Sequence, residues 1–203
     1  MPIDFFVNPC TKLNCKCLLN NVVCSSRINN NRFGVSDADA NMQLPAKVLI
    51  ANQNLWDFAV CNPDSLEVLF KAIDYCVDIY RTGTYDLSDE NRNPANFSSN
   101  NTYHAGAQLT KRCEGFIQFN DKILFIEIKR RPRGNWLSDA REKFEETILS
   151  FKEHHPLLSG QIIEPIVSNM LFNRAHQSEM VQKRMLKDKV GLDFKIQQSF
   201  IIS

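Results

Sequence analysis

KILFIEIKRRP, running from Lys122 to Pro132, is an apolar strand sequence interrupted by two charges. Leu124, Ile126 and Ile128 alternate with Phe125, Glu127 and Lys129, and residues two apart in a strand point to the same face. Glu127 and Lys129 therefore emerge together. An ionisable side chain in a core strand is costly unless it is paired, bound to a metal or at an exposed end, so these two mark one site or none.

Upstream, CEGFIQFN reads as a partner strand, and Asn120-Asp121 between the two runs suits a tight hairpin turn. A two-residue turn pairs Phe119 with Lys122. Counting back puts Phe116 opposite Phe125, Glu114 opposite Glu127 and Arg112 opposite Lys129. Facing carboxylates repel, and one of them is pushed to hold a proton. A divalent cation between them turns that repulsion into affinity, because hard cations select carboxylate oxygens. An acid pair holding Mg²⁺ or Mn²⁺ beside an amine is what phosphodiester hydrolysis requires.

With E114-G-F-I-Q-F-N-D-K-I-L-F-I-E127-I-K129, followed by a helix and a later strand, the chain resembles the PD-(D/E)XK nuclease superfamily over roughly residues 64 to 171. The resemblance implies an α/β, restriction-endonuclease-like fold, a mixed β-sheet flanked by helices. It implies metal ligation by Glu114 and Glu127, and catalysis by these two with Lys129. The family usually has Asp at the first acidic position, where this chain has Glu114. Many members carry Gln or Glu on the next helix, facing the site; in EKFEETI, Lys143 stands near that place and Glu145 is the acidic alternative. An acid on the helix before the hairpin often completes such sites, which makes Glu67 a third accessory candidate. The activity implied is metal-dependent DNA endonuclease chemistry of restriction, defence or mobile-element type. A catalytically degraded module that binds nucleic acid or a protein partner is the alternative.

The formal net charge of +1 gives no global attraction to DNA, so that partner must be held by a local patch. Arg130, Arg131 and Arg133 extend the Glu127–Lys129 strand into a basic corner before a helix N-terminus, and Arg112 flanks it from the facing strand. QKRMLKDK adds Lys183, Arg184, Lys187 and Lys189, a face more often simply solvated. Cleavage of both strands by a chain this small requires a homodimer or a protein partner.

The rest of the 203 residues frames this hairpin. Residues 1–63 read as an irregular region with edge strands, packed on a core at 64–203. DSLEVLFKAIDYCVDIYR has apolar residues at three-and-four spacing, which predicts an amphipathic helix from Asp64 or Ser65. A long polar loop is expected at 82–111. Trp136 to His154 reads as a helix with the stripe Leu137, Ala140, Phe144, Ile148 and Phe151, and with Asn135 as N-cap. IIEPIVSNMLF is a strand whose Pro165 points to an edge or a bulge. A helix over 175–189 stops at Gly191, and DFKIQQSFII is the last strand.

Seven cysteines without an export signal read as reduced thiols. Cys10, Cys15, Cys17 and Cys24 cluster in sequence, but their spacing lacks the close pairs of a structural zinc site. No apolar run is long enough to cross a membrane, so a cytoplasmic protein is expected. No phosphate-binding glycine loop or serine-hydrolase motif is present.

Overall fold

Asn120 adopts a left-handed φ of 48°, which asparagine tolerates, and this closes the hairpin at the expected two residues. As far as the ladder runs, the register is the one read from the sequence, with Phe119 opposite Lys122, Phe116 opposite Phe125 and Gly115 opposite Ile126; it ends at Gly115, so the expected pair of Glu114 with Glu127 is not part of it. The computed structural model describes residues 3–7, 17, 20, 22–37, 43–81, 97–99, 108–130, 134–169 and 177–203. Its strands and α-helices are β1 (Ser25–Ile28), β2 (Arg32–Ser36), β3 (Lys47–Leu49), β4 (Phe58–Cys61), β5 (Val68–Ala72), β6 (Ile79–Arg81), β7 (Phe97–Ser99), β8 (Gln108–Leu109), β9 (Gly115–Phe119), β10 (Lys122–Lys129), α1 (Trp136–His154), β11 (Ile166–Asn169), α2 (Gln177–Val190), β12 (Lys195–Ile196) and β13 (Ser199–Ile201).

The fold is α/β. Six strands form a mixed sheet in the order β1-β5-β9-β10-β11-β12, antiparallel as far as β10 and parallel from there to β12. The parallel steps are made by α1 and α2, as parallel neighbours require a crossover. The apolar stripe of α1 is buried as expected, and Phe151 meets Phe125 edge-on at 5.3 Å between ring centroids. Asn135 precedes α1 without a side-chain capping bond. The second helix packs on the first, where Arg141 donates to Gln182 at 3.0 Å, and ends at Gly191 with φ 80°; Phe194, beyond that end, packs against Phe144. A second sheet, in the order β13-β4-β2-β3, is tied to the first where the Ser168 hydroxyl donates to the Asp57 carbonyl at 2.5 Å.

Four expectations need correction. The stretch 64–81 is not a helix: Val68–Ala72 is a strand pairing on both sides, with β1 and β9, and Tyr75 turns the chain with φ 62°. A strand buried on both faces has an apolar run that mimics helical spacing. Pro165 does not mark an edge, because β11 lies between β10 and β12 and the proline sits just outside the strand, where its missing N–H breaks no ladder bond. DFKIQQSFII is two strands in different sheets, β12 beside β11 and β13 beside β4. The polar stretch 82–111 contributes β7 and β8, which pair with β6, while 82–96 and 100–107 lie outside the described residues. Among the described residues no helix is long and apolar enough to cross a membrane.

Candidate active site

One ridge of α1 builds the site. Asp139, Lys143, Thr147 and Phe151 are spaced four apart, so they line one side of the helix. Because α1 runs back along the sheet, each meets a successive level of the hairpin. Phe151 meets Phe125 and Phe116, the Thr147 hydroxyl accepts from the Cys113 N–H at 3.0 Å, Lys143 meets Glu127 and Glu114, and Asp139 meets Lys129.

Glu127 has no solvent exposure. Lys129 Nζ lies 2.7 Å and Lys143 Nζ 2.9 Å from its Oε1 as ion pairs, while Oε2 has no hydrogen-bond partner. Lys143 Nζ also donates to Glu114 Oε1 at 3.3 Å, so the two acids share one ammonium. Burial, followed by the charge of Glu127, holds the Glu114 carboxyl well above the usual carboxylate range. Burial alone would lower the Lys143 pKa, but Glu127 and Glu114 outweigh it and raise it. Lys129 is held from its far side by Asp139 Oδ2 at 2.6 Å. Burial works against the Asp139 anion, but hydrogen bonds from Lys129 and Lys111 hold its pKa down to about 2.

The second sheet adds acids that the hairpin does not foreshadow. Asp37 follows β2 and is buried with its Oδ1 unsatisfied; its pKa is pushed up to about 7 by burial first and then by Glu127, with Lys143 pulling the other way. Asp57, just before β4, accepts the Asp37 N–H at 2.8 Å on one carboxylate oxygen and faces Arg130 Nε at 2.9 Å with the other.

The residues singled out from sequence divide as follows. Glu114, Glu127, Lys129 and Lys143 come together. Glu67 does not: it is exposed and pairs with Arg27, since the helix expected to aim it at the site is a strand. Glu145 is buried against Arg141, one helical turn back on α1. Arg112 does not face Lys129, because the ladder ends at Gly115 and its guanidinium turns to Asp74 at 3.0 Å and Asp78 at 2.9 Å. Arg130 is engaged by Asp57, and Arg131 and Arg133 lie outside the described residues. On α2, Lys183 pairs with Glu179 at 2.9 Å. Sequence reading missed Asp37, Asp57 and Asp139. The four-residue row through Lys143 was a usable signal for Asp139; for Asp37 the only signal was an acid closing the apolar run FGVSD.

Glu114 and Glu127 are buried and meet at the Lys143 ammonium, and Asp37 is a third buried acid close enough for the Glu127 charge to raise its pKa, though among the described residues the three acids do not bring their oxygens within 4.8 Å of one another as a ready-made cation cage would. Lys129 stands beside Glu127, anchored at Asp139 and 14% exposed. No protein-family model, curated protein or solved structure matches this chain.

Proposed function

We propose that this chain is a metal-dependent endonuclease of restriction-endonuclease-like fold that hydrolyses phosphodiester bonds of DNA, of restriction, defence or mobile-element type. The observation that carries the reading is the convergence of Glu114 and Glu127 on a single cation position, with Lys129 2.7 Å from Glu127. The succession β9, β10, α1 and a parallel β11 supports the fold, although a strand, β5, stands where that family has a helix.

Glu114 and Glu127 would hold Mg²⁺ or Mn²⁺, with Asp37 as the further acid, and the ion would supply Lewis acidity toward the phosphate and its attacking water. Lys129 provides a fixed positive charge for the phosphoryl oxygens as negative charge grows on them. Asp139 keeps that ammonium from collapsing wholly onto Glu127. Arg130, half-exposed and braced by Asp57, offers a contact to a neighbouring phosphate. A homodimer or a protein partner would supply the second cut.

One observation favours a second reading, a degraded nuclease fold that binds DNA without cutting it: the Lys143 ammonium already balances the acid pair. Incubation with linear, supercoiled, branched and single-stranded DNA, in Mg²⁺ or Mn²⁺ and in chelator, separates the two. Metal-dependent cleavage that Glu127→Gln abolishes is the expected result. Binding that is indifferent to chelator, with no cleavage of any substrate, would give the answer to the binding module.

A further inference from the structure

The local spacing of the N-terminal cysteines speaks against a zinc site, but the fold brings in a thiol from elsewhere in the chain. Cys17, Cys24 and Cys76 are buried, and their three sulfurs lie within 4.8 Å of one another. Cys24 immediately precedes β1, and Cys76 sits in the turn after β5, closed by its N–H to the Ile73 carbonyl at 3.0 Å. The pairing of β1 with β5, continued by the Ala72 N–H to the Cys24 carbonyl at 2.9 Å, is what draws these distant positions together.

We propose that Cys17, Cys24 and Cys76 form a structural site for a single thiophilic ion, zinc, separate from the carboxylate site. Zinc held by thiolates at about 2.3 Å in tetrahedral array sets the sulfurs about 3.8 Å apart. The trio needs to contract by no more than about one ångström to reach that separation. The cysteines of an iron–sulfur cluster bind different irons and stand farther apart, so one ion suits the trio better.

A second observation concerns Lys71. It is fully buried, and its ammonium has no carboxylate partner among the described residues. It donates to the Val7 carbonyl at 2.6 Å and lies 3.6 Å from Cys24 Sγ. Buried cations require negative charge nearby, and a thiolate at Cys24 supplies it. Three thiolates around zinc carry a net negative charge, which the same ammonium offsets. Softness then sorts the metals: zinc goes to the sulfurs, and magnesium or manganese to the carboxylates of the proposed nuclease site. The ion would pin the N-terminal segment to the turn that carries Asp74 and Tyr75. The charge of Asp74 helps to raise the pKa of Glu114, and the charge of Glu114 in turn helps to raise that of Tyr75.

The test uses the full chain, purified under reducing conditions and loaded with zinc. One tightly held zinc per chain is expected. X-ray absorption at the zinc edge should show at least three sulfurs at about 2.3 Å. Cys76→Ser should weaken zinc binding on the order of 100-fold or more, since a ligand is lost. Cys10→Ser with Cys15→Ser should retain the ion. Should Cys76→Ser fail to fold, the absorption spectrum of the wild-type protein still decides. Nitrogen and oxygen neighbours alone, fewer than three sulfurs, or zinc retained in Cys76→Ser and lost in the Cys10/Cys15 variant would overturn the site.

Discussion

At the scale of single residues, Glu127 concentrates the argument. A carboxylate with no exposure persists because two ammonium groups stand within 3 Å of it. Glu127→Gln keeps the volume and removes the charge, leaving Lys143 to Glu114 and Lys129 to Asp139. Cleavage should fall by about 10²-fold or more, while DNA affinity in chelator is preserved. Rates and filter-binding curves measured side by side check both halves of this expectation. Lys143→Gln tests the neighbouring position. Losing one partner of a buried ion cluster costs roughly 3–5 kcal/mol, because the remaining charges are uncompensated. Its thermal midpoint in chelator should therefore drop well below wild type. Mn²⁺ competes with that ammonium for the same oxygens, so the variant should bind Mn²⁺ more tightly than wild type and regain stability as it does so. Tightness unchanged by the substitution, read by manganese spin resonance, would falsify the shared position.

The elements show what a sequence can and cannot reveal. The hairpin was legible because alternation and the Asn120-Asp121 turn agree, and a one-residue slip would put the paired side chains on opposite faces. The first helix was legible because its apolar residues keep helical spacing, although buried Arg141, Glu145, Thr147 and Ser150 extend the covered surface well beyond that stripe. In β5 the signal was ambiguous. Even Lys71, on the face opposite Phe70, is wholly buried, so no polar alternation betrays a strand. The acids at Asp37 and Asp57 were not legible as site residues, since nothing local to them says that their sheet folds back on Glu127. Close packing of β5 on β9 yields its own prediction. A Cβ on Gly115 would sit 2.5 Å from the Lys71 carbonyl and 3.1 Å from the Ala72 Cα, both backbone. Gly115→Ala should destabilise the chain by about 1–3 kcal/mol, because two strands must part where they position Glu114. Urea unfolding measures the loss, and an unchanged midpoint would mean that the strands separate without cost.

For the whole molecule, the acid cluster makes stability depend on pH and on metal together. Asp37 has a carboxyl pKa of 3.8 when unfolded and about 7 in the fold. Between those values the folded chain holds a proton that the unfolded chain has released. Stability in chelator therefore declines as pH rises from about 4 to 7, and Glu114, raised in the same direction, adds to the decline. Asp139 acts at the other end of the scale: its pKa is depressed to about 2, so its contribution is complete above 3.8 and is lost as pH falls through 2. A divalent cation needs the acids ionised, so Mg²⁺ must displace those protons and binds more tightly at pH 8 than at pH 6. Stabilisation by ligand follows concentration over Kd, about 2.7 kcal/mol at a hundredfold excess over Kd. The shift in thermal midpoint on adding Mg²⁺ should therefore be larger at pH 8, and titration near pH 6.5 should release protons in calorimetry, seen as a heat that varies with the ionisation enthalpy of the buffer. Asp37→Asn removes one such proton. It should flatten the pH dependence of the metal-free protein and reduce proton release on Mg²⁺ binding. A midpoint shift independent of pH in wild type would mean that Asp37 and Glu114 do not share the cation, and that the second sheet only covers the hairpin.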